Sequence, residues 1–251
     1  MSGHSKWSTI KRKKGAADAK RGQLFTRLAR EIAITAREGG GDLDSNFKLR
    51  LSVDRARKVN MPKDNIERAI KRGTGEDKSG GEIERITYEG YASNGIAVMI
   101  DCLTENRNRT VAELRHELTH GGGNMAEVGA VSWQFKHMAY FAISAEGKDF
   151  EKIFELAVES GADDISSDEE TIEIFAPIDA FKIINDNLKS AGIEVDEADL
   201  QYLPKQEITL ETEKTVKVMR IIEELEGLDD VQAVFSNMSI SEEALKEIEE
   251  T

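Results

Sequence analysis

Cysteine, proline and tryptophan are scarce: one, three and two in 251 residues. A lone Cys102 excludes a disulfide framework and any Cys-x-x-Cys metal or redox site. No apolar run approaches the roughly 20 residues that a membrane helix requires. The opening residues, Met1 to Trp7, lack the apolar stretch of a secretory signal. These absences lead to the expectation of a cytoplasmic protein with no membrane partner. Apolar residues make up 39% and charged residues 33%, a balance that supports folded domains rather than bulk disorder.

What is present is charge, unevenly placed. The formal net charge is −14, yet residues 1–75 hold 19 Lys and Arg against 8 Asp and Glu. That front part carries +11, and residues 76–251 carry −25. A block of one sign on a body of the other suggests a module for a polyanion. The acidic body repels nucleic acid, so contact is expected mainly on the N-terminal part. Lys6, Lys11, Arg12, Lys13, Lys14, Lys20 and Arg21 fall within the first 21 residues, opposed only by Asp18. Each phosphate that such an arm neutralises releases counterions, which makes binding steeply salt-dependent. Trp7 has two readings of equal weight: stacking on an exposed base, or anchoring the tail to the bundle behind it.

Periodicity divides the chain in three. Ala16–Glu38 reads as a helix with Phe25, Leu28, Ala29 and Ile32 on one face, which leaves Lys20, Arg21, Arg27, Arg30 and Arg37 off that stripe. Gly39-Gly40-Gly41 ends it. A second helix is expected after Asp44 or Ser45, with Leu49, Val53 and Ala56 inward. A third has Pro62 in its first turn, Ile66, Ala69 and Ile70 as its stripe, and Gly73 as its stop. Residues 1–80 thus form a basic arm and helical bundle.

Beyond this, the pattern is mixed. Arg85–Tyr88 and Ile96–Leu103 read as strands joined at Ser93-Asn94-Gly95, followed by a helix over Asn106–His120 and a strand over Val131–Phe135. Tyr140–Leu203 reads as β-α-β-β-α-β, the ferredoxin-like order, with Phe150, Ile153, Phe154 and Ala157 expected on one inward face of its first helix. A strand, helix and strand follow Pro204. Neither 82–135 nor this tail can bury its own apolar face. The expected fold is therefore α+β with three domains. Residues 81–135 with 205–251 make one discontinuous α/β sandwich, and 136–204 is a ferredoxin-like domain inserted in it.

Chemical motifs are few. His116-Glu117-Leu118-Thr119-His120 fits the helical His-Glu-x-x-His zinc-hydrolase pattern. The extended pattern fails because Ala126 stands where a third His belongs. A zinc hydrolase remains the remote alternative. Gly73–Ser79 ends in Lys-Ser, but Asp77 replaces the glycine a phosphate loop needs. Cys102 reads as a core thiol. No catalytic set, cofactor, metal or small-molecule substrate is expected. Arg107 and Arg109, in Asn106-Arg107-Asn108-Arg109-Thr110, lie at a helix N-terminus, where a phosphate contact is favoured.

Three strings carry a resemblance. Gly3-His4-Ser5-Lys6-Trp7 with the following Lys-Arg-Lys-Lys, Asn60-Met61-Pro62-Lys63-Asp64-Asn65-Ile66-Glu67-Arg68-Ala69-Ile70, and Asn106–Thr110 closely resemble the YebC/PmpR family. The likeness runs the length of the chain. It implies three domains and a cytoplasmic, non-enzymatic protein that binds nucleic acid. It implies a DNA-binding transcriptional regulator acting on promoter DNA. Related members, one of them mitochondrial, act as translation factors at the ribosome. That is the alternative: a ribosomal-RNA partner, with the arm reaching into a ribosomal channel.

Overall fold

The computed structural model describes residues 18–77, 81–168 and 170–249. Three helices come first: α1 (Asp18–Gly39), α2 (Phe47–Lys58) and α3 (Lys63–Thr74). Leu28, Ile32 and Ala36 meet Leu49, Val53, Ala56, Ile66 and Ala69 in one core. The cap of α2 falls one residue later than the sequence suggests. Asn46 accepts from Leu49 N at 3.1 Å, and its amide donates to the Thr35 and Gly40 carbonyls at 2.8 Å each. Asn46 thereby ties the start of α2 to the end of α1.

Gly73 is not a stop. It lies inside α3, and a Cβ there would stand 2.2 Å from the Ala33 carbonyl oxygen. The helix ends instead at Gly75, whose φ of 80° only glycine adopts freely. Gly73 thus lets α3 lie close against the backbone of α1.

The next elements are β1 (Glu84–Tyr91), β2 (Ala97–Thr104), α4 (Arg107–His120) and β3 (Asn124–Ala126). Asn94 and Gly95, both at positive φ, turn β1 into β2. Then come β4 (Phe135–Ser144), α5 (Phe150–Glu159), β5 (Asp164–Ser167), β6 (Thr171–Ala176), α6 (Phe181–Ser190) and β7 (Glu197–Pro204). The chain closes with β8 (Ile208–Thr209), α7 (Thr212–Gly227), β9 (Val231–Ser236), β10 (Met238–Ser239) and α8 (Glu242–Glu249).

The strands form two four-stranded antiparallel sheets. One has the order β3-β1-β2-β9 and so recruits its last strand from beyond residue 204. Alternation along β2 serves both of its faces. Val98, Ile100 and Cys102 pack under α4 and α7, while Ala97 and Met99 meet Val131, Phe135 and Phe235. Leu103 packs with Ala33 and Ile34 of α1, seating the bundle on this sheet. The other sheet has the order β5-β6-β4-β7, the ferredoxin-like arrangement, with Phe141, Ile143, Ile153, Ile174 and Ile184 in its core.

Three expectations are corrected. Val131–Phe135 is not a strand: Ser132–Gln134 is a 3-10 turn, and β4 starts only at Phe135. The backbone N–H groups of Val131 and Ser132 go to the Glu89 carboxylate instead of to a sheet. β8 does not join a large sheet but pairs in parallel with β10. On α5 only Ile153 and Ala157 are buried, whereas Phe150 and Phe154 face outward, ring centroids 5.9 Å apart.

Two outcomes follow. Gly73→Ala forces a methyl into the Ala33 carbonyl and should destabilise the fold by about 1–3 kcal/mol, read as a lower midpoint of thermal or urea unfolding. Brief proteolysis should release 136–204 as a folded fragment. Residues 82–135, cut from β9 and α7, should be degraded, and their survival as a folded piece would contradict the proposed chain division.

Candidate nucleic-acid interface

The bundle arginines face two ways. Gln23, Arg27 and Arg30 form one row of α1, which lies over the turn between α7 and β9. Gln23 donates to the Gly227 carbonyl at 3.2 Å. Arg30 donates to the Asp229 carbonyl and pairs with the Asp230 carboxylate at 3.0 Å. Burial lowers the pKa of the Arg27 guanidinium, and the carboxylates of Glu226 and Asp229 work against that shift.

Asp230 is the hub of this contact. Its side chain is 1% exposed. It accepts from Arg109 Nη2 at 2.7 and 2.8 Å, from Thr110 Oγ1 at 2.7 Å and from Thr104 Oγ1 at 3.1 Å. Burial alone would raise its pKa, but the Arg109, Thr110 and Thr104 hydrogen bonds and the charge of Arg30 hold it below the ordinary aspartate value. Asn106 caps α4 by accepting from Arg109 N at 3.2 Å. Arg107 donates to Glu84 at 2.8 Å through Nε. The phosphate spot expected at the start of α4 therefore already faces carboxylates of the protein itself.

Further pairs fasten the bundle to both sheets. Arg37 meets Glu82 at 2.9 Å, and Arg72 meets Glu105 at 2.6 Å. Arg55 lies between Glu31 at 3.1 Å and Asp199 at 3.2 Å and also donates to the Ala198 carbonyl. Burial opposes its charge, but Asp199 and Glu31 more than offset that and push its pKa up. Lys58 donates to the Val195 carbonyl at 2.8 Å. A crevice of about 510 Å³ remains where the three parts meet, between Arg55, Arg85, Asp101, His137 and Tyr202. His137 stacks on Tyr202 at 4.4 Å, and burial together with the charge of Arg85 lowers its pKa.

The remaining cations lie on outer faces. Among the described residues, Arg21, Arg68 and Lys71 are exposed and have no carboxylate partner. Lys6, Trp7, Lys11, Arg12, Lys13 and Lys14 lie outside the described residues. Lys20 falls in α1, its side chain likewise outside the description. The structure thus places Arg27 and Arg30 at the junction of bundle and body, Arg109 at the rim of that junction through Asp230, and Arg107 and Arg21 on the surface, Arg107 against Glu84.

His116 and His120 are exposed, their rings stacked at 6.1 Å, while Leu118 between them is in the core. Among the described residues no group of three His, Cys, Asp or Glu is placed to hold a metal ion. No helix of the described residues is long and apolar enough to cross a membrane.

Sequence reasoning missed Asp230 and Glu89. Both are single acids in an acid-rich body, and their partners lie 40 or more residues away. Their only local signal is position: Asp230 immediately precedes a strand, and Glu89 lies within another.

Fold and surface together define a helical bundle clamped by arginines onto a pair of α/β units, with its outward cations on the bundle. The comparisons are then specific. Residues 5–76 match the family model described as the TACO1/YebC protein N-terminal domain, and 83–238 match TACO1/YebC second and third domain. A probable transcriptional regulatory protein of Geobacter sulfurreducens is 47% identical over 248 residues, covering 99% of this chain and all of that one. Another so named, from Borrelia turicatae, is 48% identical over 243 residues, covering 97% and 99%. A crystal structure of a conserved hypothetical protein from Aquifex aeolicus superposes with a TM-score of 0.82 at 39% identity, covering 90% and 93%. The chain belongs to the TACO1/YebC family.

Asp230→Asn tests the hub. It leaves two arginines facing a neutral amide and should cost about 3 kcal/mol in urea unfolding. Because the folded pKa of Asp230 lies below the ordinary value of 3.8, its contribution is present above that value and lost as pH falls through the folded one. The variant should therefore lose stability less steeply in acid than the wild type does.

Proposed function

We propose that the protein is a non-enzymatic nucleic-acid-binding regulator that acts on transcription by binding DNA. The observation that carries this reading is the concentration of +11 in residues 1–75 of a chain whose remainder carries −25. The names of the Geobacter sulfurreducens and Borrelia turicatae relatives, both probable transcriptional regulatory proteins, support a regulatory role. Affinity comes chiefly from Lys6, Lys11, Arg12, Lys13, Lys14 and Lys20, with Arg21, Arg68 and Lys71 extending the cationic face. Arg27 and Arg30 serve by fixing the bundle on the body, so that arm and face keep one orientation. Arg107 and Arg109 each retain an exposed edge, at 65% and 47%, and complete the phosphate contacts from the second part of the chain.

One observation favours a second target. The exposed face of α3 mixes Asp64 and Glu67 with Lys63, Arg68 and Lys71. Two carboxylates on that face oppose deep entry into a DNA groove, whereas an arm tracking phosphates suits an irregular RNA surface. The alternative is therefore a ribosome-bound translation factor on ribosomal RNA.

Sedimentation at low and moderate salt separates the two, comparing the full chain with one lacking residues 1–14. Arm-dependent cosedimentation with ribosomes supports the RNA target. A sequence-selective promoter footprint without cosedimentation supports the DNA target. Replacing Lys11, Arg12, Lys13 and Lys14 by Ala should weaken either complex and flatten the salt slope by up to about four units. Unchanged affinity and slope would remove those side chains from the interface.

A further inference from the structure

The loop between β3 and β4, which contains the 3-10 turn Ser132–Gln134, is held by a buried carboxylate. Glu89, 5% exposed, accepts from the backbone N–H of Gly129 and Val131 at 2.7 Å each and of Ser132 at 3.0 Å. Burial alone would raise the pKa of this carboxyl, and the three N–H groups hold it low. On either side of Trp133, Val131 and Phe135 are buried in the core beside Ala97, Met99 and Phe235. Trp133 itself is 67% exposed. Its indole N–H donates to the Ala130 carbonyl at 3.0 Å, which fixes the ring and leaves its π face as what it offers. Lys205 bonds across the loop, its N–H to the Gln134 carbonyl at 2.8 Å and its ammonium to the Trp133 carbonyl at 2.7 Å. A rigidly mounted indole with an exposed ammonium at its own backbone is the pairing that single-stranded nucleic acid uses: one flat face for a base and one charge for its phosphate.

We propose that Trp133 and Lys205 form a stacking platform for one unpaired nucleotide, a second contact on the acidic body, far along the chain from the basic arm. The proposal rests on the nucleic-acid reading above and adds its substrate class, an unpaired base. The body excludes a long run of phosphates by its charge, but a single splayed nucleotide brings only one. A protein partner fits this spot less well. Trp133 and the 92% exposed Val128 are the large apolar groups of this loop that face solvent, far less than the roughly 800 Å² per partner of a stable interface. The rigidity matters as well, because a ring already ordered loses little freedom when a base settles on it.

The test uses the full chain carrying Trp7→Phe, so that Trp133 is the sole tryptophan, with a 12-nucleotide oligouridylate and a duplex of equal length as probes. Stacking should quench the Trp133 fluorescence on titration with the single strand and not with the duplex. Trp133→Ala should weaken single-strand binding about tenfold and leave duplex binding unchanged, with Trp133→Phe retaining most of the affinity. Lys205→Ala should lower the single-strand salt slope by about one. If the single strand binds through the arm with no quenching and Trp133→Ala binds as well as its parent, the platform is wrong while the proposed function stands. If neither the parent chain nor the chain that retains Trp7 binds either probe, both fall. A Trp133→Ala protein that unfolds, as read by circular dichroism, passes the decision to the quenching and to Trp133→Phe. Absence of quenching then overturns the platform.

Discussion

The attraction between bundle arginines and body carboxylates organises this molecule. Two parts of opposite charge could still have been joined only by a linker, with no specific contact. Instead Arg30, Arg37, Arg55 and Arg72 reach across and close on Asp230, Glu82, Asp199 and Glu105. Arginine suits the task because its planar fork donates several hydrogen bonds at once and holds its charge when desolvated. Arg55 shows the balance most clearly. Burial opposes its charge, and the two carboxylates beside it more than restore it. The bundle therefore has a charged seam facing inward, while Arg21, Arg68 and Lys71 stay exposed without a carboxylate partner.

That division of labour changes how a count of basic residues is read. Nineteen cations in the first 75 residues suggest a large polyanion surface. The seam withdraws several of them, and what faces solvent depends on which carboxylate each meets in the fold. Asp230 illustrates the coupling, since one buried acid gathers Arg30 from the bundle, Arg109 from α4 and two threonines. Orientation of the cationic face and stability of the body are consequently not independent properties.

Legibility from sequence followed the range of the interactions. Helices with clear stripes were readable to within a few residues, as α1 and α3 show, and so was the β-α-β-β-α-β order of the second sheet. Gly73 misled because a glycine at a stop and a glycine at a close helix contact look alike until α1 is laid against it. Val131–Phe135 carries the composition of a strand, but its amides are taken by a carboxylate more than 40 residues earlier. Phe150 and Phe154 have helical spacing toward the core, yet α5 turns Ile153 and Ala157 inward and leaves both rings exposed. On the candidate interface, charge density singles out the cationic arm, which lies outside the described residues, and Arg21, which is exposed. The roles of Arg27, Arg30 and Arg109 were not, because nothing near them in the sequence announces Asp230.

The neck of the second sheet has a mechanical meaning. The chain enters along β4 and leaves along β7, with Phe135 opposite Pro204 and the Lys205 N–H bonded to the Gln134 carbonyl at 2.8 Å. Two adjacent hydrogen-bonded strands resist twisting far more than a pair of loose tethers would. A push on the distal end of that sheet is thus delivered as torque at its root, on the segment that continues directly into Gln134 and Trp133.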